Sequence, residues 1–191
     1  MISIQLIERF KRMPELHTER LTLTKMKVSH SADMYEYASD PAVTKYLLWS
    51  PHDDPSYTKR YLKQIQASYK NGSFYDWALI LRATGKMIGT CGYISFDTAN
   101  NSTEVGYVIN PAYWGNGYAA EALREVIRFG FVDLRMNRIQ ARFIKGNDSS
   151  LRVMEKAGMT FEGFLRESMY IKDGYKDIGY ASITYSEFTS K

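Results

Sequence analysis

The stretch Glu104-Val-Gly-Tyr-Val-Ile109-Asn-Pro-Ala-Tyr-Trp114-Gly115-Asn116-Gly117-Tyr118-Ala119 sets two glycines between a β-rich run and the start of an amphipathic helix. The first N–H groups of a helix have no intrahelical acceptor and carry the positive end of the helix dipole. Gly115 and Gly117 remove side chains that would block a close approach, and Ala119 keeps the first turn slim. Such a turn can hold an anion, a pyrophosphate included, without any arginine. The competing reading is a tight strand-to-helix turn with no ligand. Two nucleotide loops fail on detail. No Gly-Lys-Ser/Thr ending is present, and Ala120 stands where Gly-x-Gly-x-x-Gly needs its third glycine.

Other reactive side chains offer less. Cys91 is the lone cysteine, set in the apolar run Ile-Gly-Thr-Cys-Gly-Tyr-Ile, and reads as a core thiol rather than a nucleophile. It has no partner for an internal disulfide, which agrees with a reducing compartment. His17, His30 and His52 lack the paired spacing of a zinc site, so no metal is expected.

The elements that must position the glycine turn follow from periodicity and capping. Residues 18–24 alternate as a half-buried strand does. Ser29 is read as the cap of a helix over 29–39. Asp40-Pro41 and Asp54-Pro55 are N-cap and first-turn pairs. Tyr57, Tyr61, Leu62, Ile65 and Tyr69 then recur at helical spacing until Asn71-Gly72. Strands over 74–82 and 86–96 flank an Ala-Thr-Gly turn, and a third covers 103–109. The helix over 117–133 carries Ala119, Leu123, Val126, Ile127 and Gly130 on one face, with Glu121, Arg124, Glu125 and Arg128 expected opposite. A strand over 138–144, a short helix over 149–157 and two strands around Asp173-Gly174 complete one mixed α/β domain.

Composition bounds the rest. The 191 residues, 45% hydrophobic and 24% charged, suit one globular domain with a sizeable core. No apolar run is long enough for a membrane helix, and charge within the opening ten residues argues against a secretory signal. A cytoplasmic setting is expected. The net charge of +4 is spread along the chain, which speaks against direct nucleic-acid binding.

The glycine turn resembles motif A of the GNAT superfamily of acetyltransferases, Gln/Arg-x-x-Gly-x-Gly/Ala, with Gly117 and Ala119 at the last two fixed positions and Trp114 where Gln or Arg is usual. Trp-Gly-x-Gly-Tyr-Ala followed by Glu-Ala is similar to the branch of the RimJ/RimL-type ribosomal-protein N-terminal acetyltransferases. His-Thr-Glu-Arg-Leu-Thr-Leu (17–23), Gly-Thr-Cys-Gly-Tyr-Ile (89–94), Asn147-x-x-Ser150 and Glu-Lys-Ala-Gly-Met (155–159) extend the resemblance over nearly the whole chain.

The resemblance implies a single domain over 1–191. Its mixed, mostly antiparallel sheet would have about seven strands and one splayed parallel pair, 103–109 with 138–144, flanked by helices. It implies acetyl-coenzyme A as cosubstrate. The pantetheine arm would lie along Val108 and Ile109, and the pyrophosphate on Trp114, Gly115, Asn116, Gly117, Tyr118 and Ala119. Asn147 and Ser150 would contact the arm from the far side. Glu104 takes the place of a general base. Many relatives use a helix tyrosine as acid; Met154 stands there instead, and Ser150 aligns with the serine assigned that part in the RimL-like branch. Tyr46 and Trp49 would line the acceptor cleft, although an aromatic-aliphatic stripe such as Tyr46 to Trp49 is more often plain core. Attack would be direct, in a ternary complex. The implied acceptor is a primary amine, foremost the α-amine of a ribosomal protein, with a polyamine or antibiotic as the alternative. A non-catalytic acyl-coenzyme A-binding module is the reading from another class. Either a monomer or a homodimer fits.

Overall fold

Asp40 and Asp54 act as their chemistry dictates: the first accepts from the Ala42 amide, the second from the Tyr57 amide, and each is followed by a helix beginning at proline. The computed structural model describes residues 4–190. They run α1 (Ile4–Lys11), β1 (Leu16–His17), β2 (Leu21–Thr24), α2 (Ser31–Ala38), α3 (Pro41–Thr44), α4 (Pro55–Asn71), β3 (Asp76–Leu81), β4 (Met87–Asp97), β5 (Ser102–Ile109), α5 (Tyr118–Val132), β6 (Arg138–Ile144), α6 (Asp148–Lys156), β7 (Thr160–Ile171), β8 (Gly174–Thr184) and α7 (Tyr185–Thr189). Met1, Ile2, Ser3 and Lys191 lie outside the described residues, so the reading of the opening stretch and of the 1–191 domain is met here only from Ile4 to Ser190.

The eight strands form one sheet in the order β1-β2-β3-β4-β5-β6-β8-β7. All neighbours are antiparallel except β5 and β6. The strand beyond the expected seven is the two-residue β1, too short for an alternating pattern to announce. The helices α1 and α7 were not legible either. The predicted helix over 29–39 is instead a 3-10 turn (Val28–His30) running into α2, so Ser29 is not its cap.

Side chains alternate across the sheet, so neighbours on one strand serve opposite layers. Trp77 is fully buried against Phe129 of α5, and its indole donates to the Pro14 carbonyl. Asp76, the preceding residue, faces α2 and α4: Tyr69 of α4 donates its hydroxyl to the Asp76 carbonyl and accepts from the Met26 amide. The layer below the sheet is an aromatic cluster in which Phe10 lies edge-on to Tyr75, Trp77 and Tyr93.

α5 corrects one expectation. Glu121, expected on the solvent face, is buried with Ala122 and Leu123. Its carboxylate accepts from the Thr18 hydroxyl at 2.5 Å, from the Arg20 amide at 2.9 Å and from Arg20 Nε at 2.7 Å. The helical period predicted the face correctly for an unpaired glutamate; the partner came from a turn 101 residues away.

Candidate active site

The geometry turns on one strand defect. β4 carries a bulge between Tyr93 and Ser95, opposite the Glu104–Val105 step of β5. A bulge bends its strand and sharpens the local twist. On the other side of β5, the parallel ladder with β6 holds for Ser102↔Arg138, Thr103↔Ile139 and Glu104↔Gln140 and then stops. Both strands continue, to Ile109 and Ile144, paired with β4 and β8 but no longer with each other. The sheet therefore forks just beyond Glu104.

Backbone groups inside the fork follow from the ladder. The Asn110 amide donates to the Ile88 carbonyl, so alternation gives Val108 to β4 and turns the amides of Tyr107 and Ile109 outward, toward the gap. The groups facing the arm's expected path thus belong to Tyr107 and Ile109, not to Val108. The Ile109 carbonyl is already taken by the Trp114 indole at 2.7 Å. Trp114, 53% exposed, thereby ties the glycine loop to the strand that feeds it.

That loop ends in the N-terminus of α5. Gly115 and Gly117 both have φ of +79°, a left-handed backbone that other residues adopt at a cost. Gly117 is the N-cap without a side-chain cap, so the first amides of α5, from Tyr118 to Ala120, point out of the helix end without an intrahelical acceptor. A Cβ on Gly115 would meet no protein atom, and on Gly117 only Arg20 Nη2 at 3.7 Å. The concave side of the loop is open to a ligand, and two linked phosphates fit that chemistry. Arg20 braces the loop from behind: its guanidinium bridges the Glu121 carboxylate and the Asn116 carbonyl (3.0 Å) and stacks 4.4 Å from the centre of the Tyr118 ring. Although burial opposes it, the hydrogen bonds from Thr18 and Arg20 hold the Glu121 carboxyl below its ordinary range. Arg20 and Glu121 were missed as site residues; Arg20 lies in the Glu-Arg-Leu run already singled out, which was the available signal.

Glu104 lies at the fork, only 7% exposed. Arg142 Nε of β6 stands 2.8 Å from Oε1, an ion pair whose angle falls short of a hydrogen bond. Burial pushes the Glu104 carboxyl up from its ordinary value, and Arg142 and Gln140 pull it partly back. Such a group can take a proton near neutral pH more readily than a solvated carboxylate.

Across the fork, Asn147 caps α6: its Oδ1 accepts from the Ser150 amide at 3.4 Å, leaving its NH₂ for other partners. Ser150, in the first turn, is therefore not the cap. Its Oγ is 2.8 Å from the Tyr107 hydroxyl, which also donates to the Ser150 carbonyl at 2.9 Å. Met154 is buried in the core. Of the two residues expected at the acceptor cleft, Tyr46 has its hydroxyl 3.8 Å from where a Cβ on Gly146 would stand. Trp49, half-buried, packs on His52 and against the core. Lys172 draws the last hairpin into the same corner by donating to the Thr44 carbonyl at 2.6 Å. Cys91 is fully buried, and burial drives its thiol well above the ordinary range.

The profile of the family described as Acetyltransferase (GNAT) domain matches residues 20–160. The chain is 34% identical to the Uncharacterized N-acetyltransferase p20 of Bacillus licheniformis, over 92% of this chain and 99% of that one. It is 24% identical to the [Ribosomal protein uS5]-alanine N-acetyltransferase of Escherichia coli K12, over 91% and 92% of the two chains. Among solved structures, an acetyltransferase (GNAT family) from Bacillus anthracis superposes with a TM-score of 0.81 at 26% identity, covering 91% of this chain and 99% of that one.

Proposed function

The chain belongs to the GNAT acetyltransferases, which use acetyl-coenzyme A, and from that premise we propose that it acetylates the N-terminal α-amine of a protein, foremost a ribosomal one. The single observation that carries the chemistry is the fork. A gap opens at Glu104 and Gln140, is edged by outward amides of Tyr107 and Ile109, and leads to the unpaired N–H groups at the start of α5. Acetyl-coenzyme A laid along it has its pyrophosphate on Gly115 to Ala119 and its thioester between Glu104 and Ser150.

In this reading the acceptor nitrogen attacks the thioester carbonyl directly. Glu104 takes the proton that the nitrogen loses, and Ser150 Oγ faces the departing sulfur. Asn147 holds the arm through its free NH₂, and Tyr46 borders the acceptor. An α-amine, with a pKa of about 8, keeps a sizeable neutral fraction near physiological pH, whereas a lysine at about 10.4 is almost wholly protonated, so a base of modest strength suits the former.

Two features favour a protein N-terminus over a polyamine. The corner around Tyr46 holds the cations Lys45 and Lys172, which would repel a polycation, while Lys145 close by is paired with Asp177. The uS5-alanine acetyltransferase also resembles this chain over nearly its full length. A cytoplasmic location goes with this acceptor. The test is thiol release from acetyl-coenzyme A with N-terminal peptides of ribosomal proteins, spermidine and an aminoglycoside, followed by mass spectrometry of the product. Preferred turnover of a peptide α-amine is expected. Turnover confined to a polyamine or antibiotic moves the acceptor to that class, and saturable binding without turnover of any amine makes the chain a sensor.

A further inference from the structure

Past the fork, the one side-chain bond that ties β5 to α6 among the described residues is the Tyr107 hydroxyl on Ser150. The phenol has one proton and two acceptors within reach. When it goes to the Ser150 carbonyl (2.9 Å), the serine proton points back at Tyr107 Oη. When it goes to Ser150 Oγ (2.8 Å), the serine proton is released to point elsewhere. The heavy atoms need not move. A single hydroxyl rotation reverses the polarity of the pair.

We propose that Tyr107 is a positioning residue for acetyl transfer, donating to Ser150 Oγ so that the serine proton faces the departing sulfur. The inference rests on the acetyl-transfer reading and on Ser150 standing beside the thioester. In the step itself the amine nitrogen bonds to the acetyl carbon and the carbon–sulfur bond breaks, its electron pair staying on sulfur. A thiol titrates near about 8.5, well below a tyrosine at about 10, and a serine hydroxyl is weaker still. Neither hydroxyl is acid enough to hand its proton to the thiolate for good. The pair therefore acts by donation: Ser150 stabilises the developing charge, and Tyr107 strengthens Ser150 by polarising it. The proton lost by the amine passes through Glu104 to solvent, and the thiolate leaves as such or is protonated there, so atoms and charge balance. Burial raises the Tyr107 hydroxyl above its ordinary value, which keeps the phenol a donor.

The test is a double-mutant cycle of Tyr107→Phe and Ser150→Ala, measured as thiol release from acetyl-coenzyme A with the best acceptor found above, with coenzyme A affinity by calorimetry and Tm as controls. Tyr107→Phe is expected to lower kcat about tenfold, the worth of one hydrogen bond to a developing charge, with KM and coenzyme A affinity within about twofold. The double variant is expected to be no slower than Ser150→Ala. Ser150→Thr, which keeps the hydroxyl, should recover activity only where Tyr107 is present. Wild-type kcat in Tyr107→Phe beside an impaired Ser150→Ala overturns the inference and leaves the Ser150 reading standing, as do losses that simply multiply. Wild-type kcat in Ser150→Ala removes both.

Discussion

Replacing Asp76 with asparagine should stabilise the protein, and by an amount that grows with pH. Asp76 opens β3 opposite Gly92, with Oδ1 cut off from solvent and without a hydrogen-bond partner; Tyr37 Oη, also buried, is unpartnered too. Burial raises the Asp76 carboxyl from its ordinary 3.8 to about 7, although Thr90 and the Trp77 amide donate to it. Since the folded state holds the proton more tightly than the unfolded chain, Asp76 costs nothing below about pH 4. Between about pH 4 and 7 the unfolded chain ionises freely while the folded one does not, and stability falls with each unit. Above about pH 7 both are ionised and the loss is complete. A gap of about three units at about 1.4 kcal/mol each sets the loss at about 4 kcal/mol at most. Part of the residue still touches solvent, so about half of that is the expected reading. Asparagine keeps the carbonyl for Thr90 and Trp77 and has nothing to ionise. For a chain of this length about 2–4 °C of Tm accompanies each kcal/mol, so Asp76→Asn should melt about 4–8 °C above wild type at pH 8 and close to it at pH 4. Calorimetry and urea unfolding from pH 4 to 8 measure this. A gap that is constant across that range refutes the reasoning, because a group that does not titrate there cannot be carrying the charge penalty.

Three further outcomes concern the site. Gly117→Glu is expected to abolish coenzyme A binding, by placing a carboxylate at the anion turn, while Gly117→Ala loses less, chiefly the cost of a left-handed backbone, about 1 kcal/mol; unchanged calorimetric affinity in a folded Gly117→Glu would remove the pyrophosphate site. Glu104→Gln should cut kcat far more than coenzyme A affinity and erase the acid limb of kcat/KM. In the wild type that limb should lie above the ordinary carboxylate value, and Arg142→Gln should move it higher still, since the cation that holds Glu104 down is gone; a limb that stays put in both variants excludes Glu104 as base. Glu121→Ala strands the buried donors of Thr18 and Arg20, and should lower stability by about 1–3 kcal/mol and raise KM for acetyl-coenzyme A several-fold through the loosened loop. An unaltered KM would show that the loop needs no brace.

What could be read from the residues alone was whatever neighbours within a few positions decide. The Asp-Pro caps, the Asp173-Gly174 turn, the glycines ahead of α5 and the strand around Glu104 all depend on local dihedrals, local hydrogen bonds and the period of burial, so types and spacing suffice. The ordered motifs carried the family for the same reason, since each is a short run at a required turn or cap. The fork was different. Its position depends on a bulge in β4 acting on β5 from one side while β6 parts from the other, and no single segment contains that information. Partners far apart in the chain were equally hidden: Glu121 looked solvated until Thr18 and Arg20 arrived, Ser150 gave no hint of Tyr107 across the gap, and Asp76 gave no sign of its isolation. Polar side chains acquire their roles from the neighbours that exclude water from them. Only the folded chain supplies those neighbours.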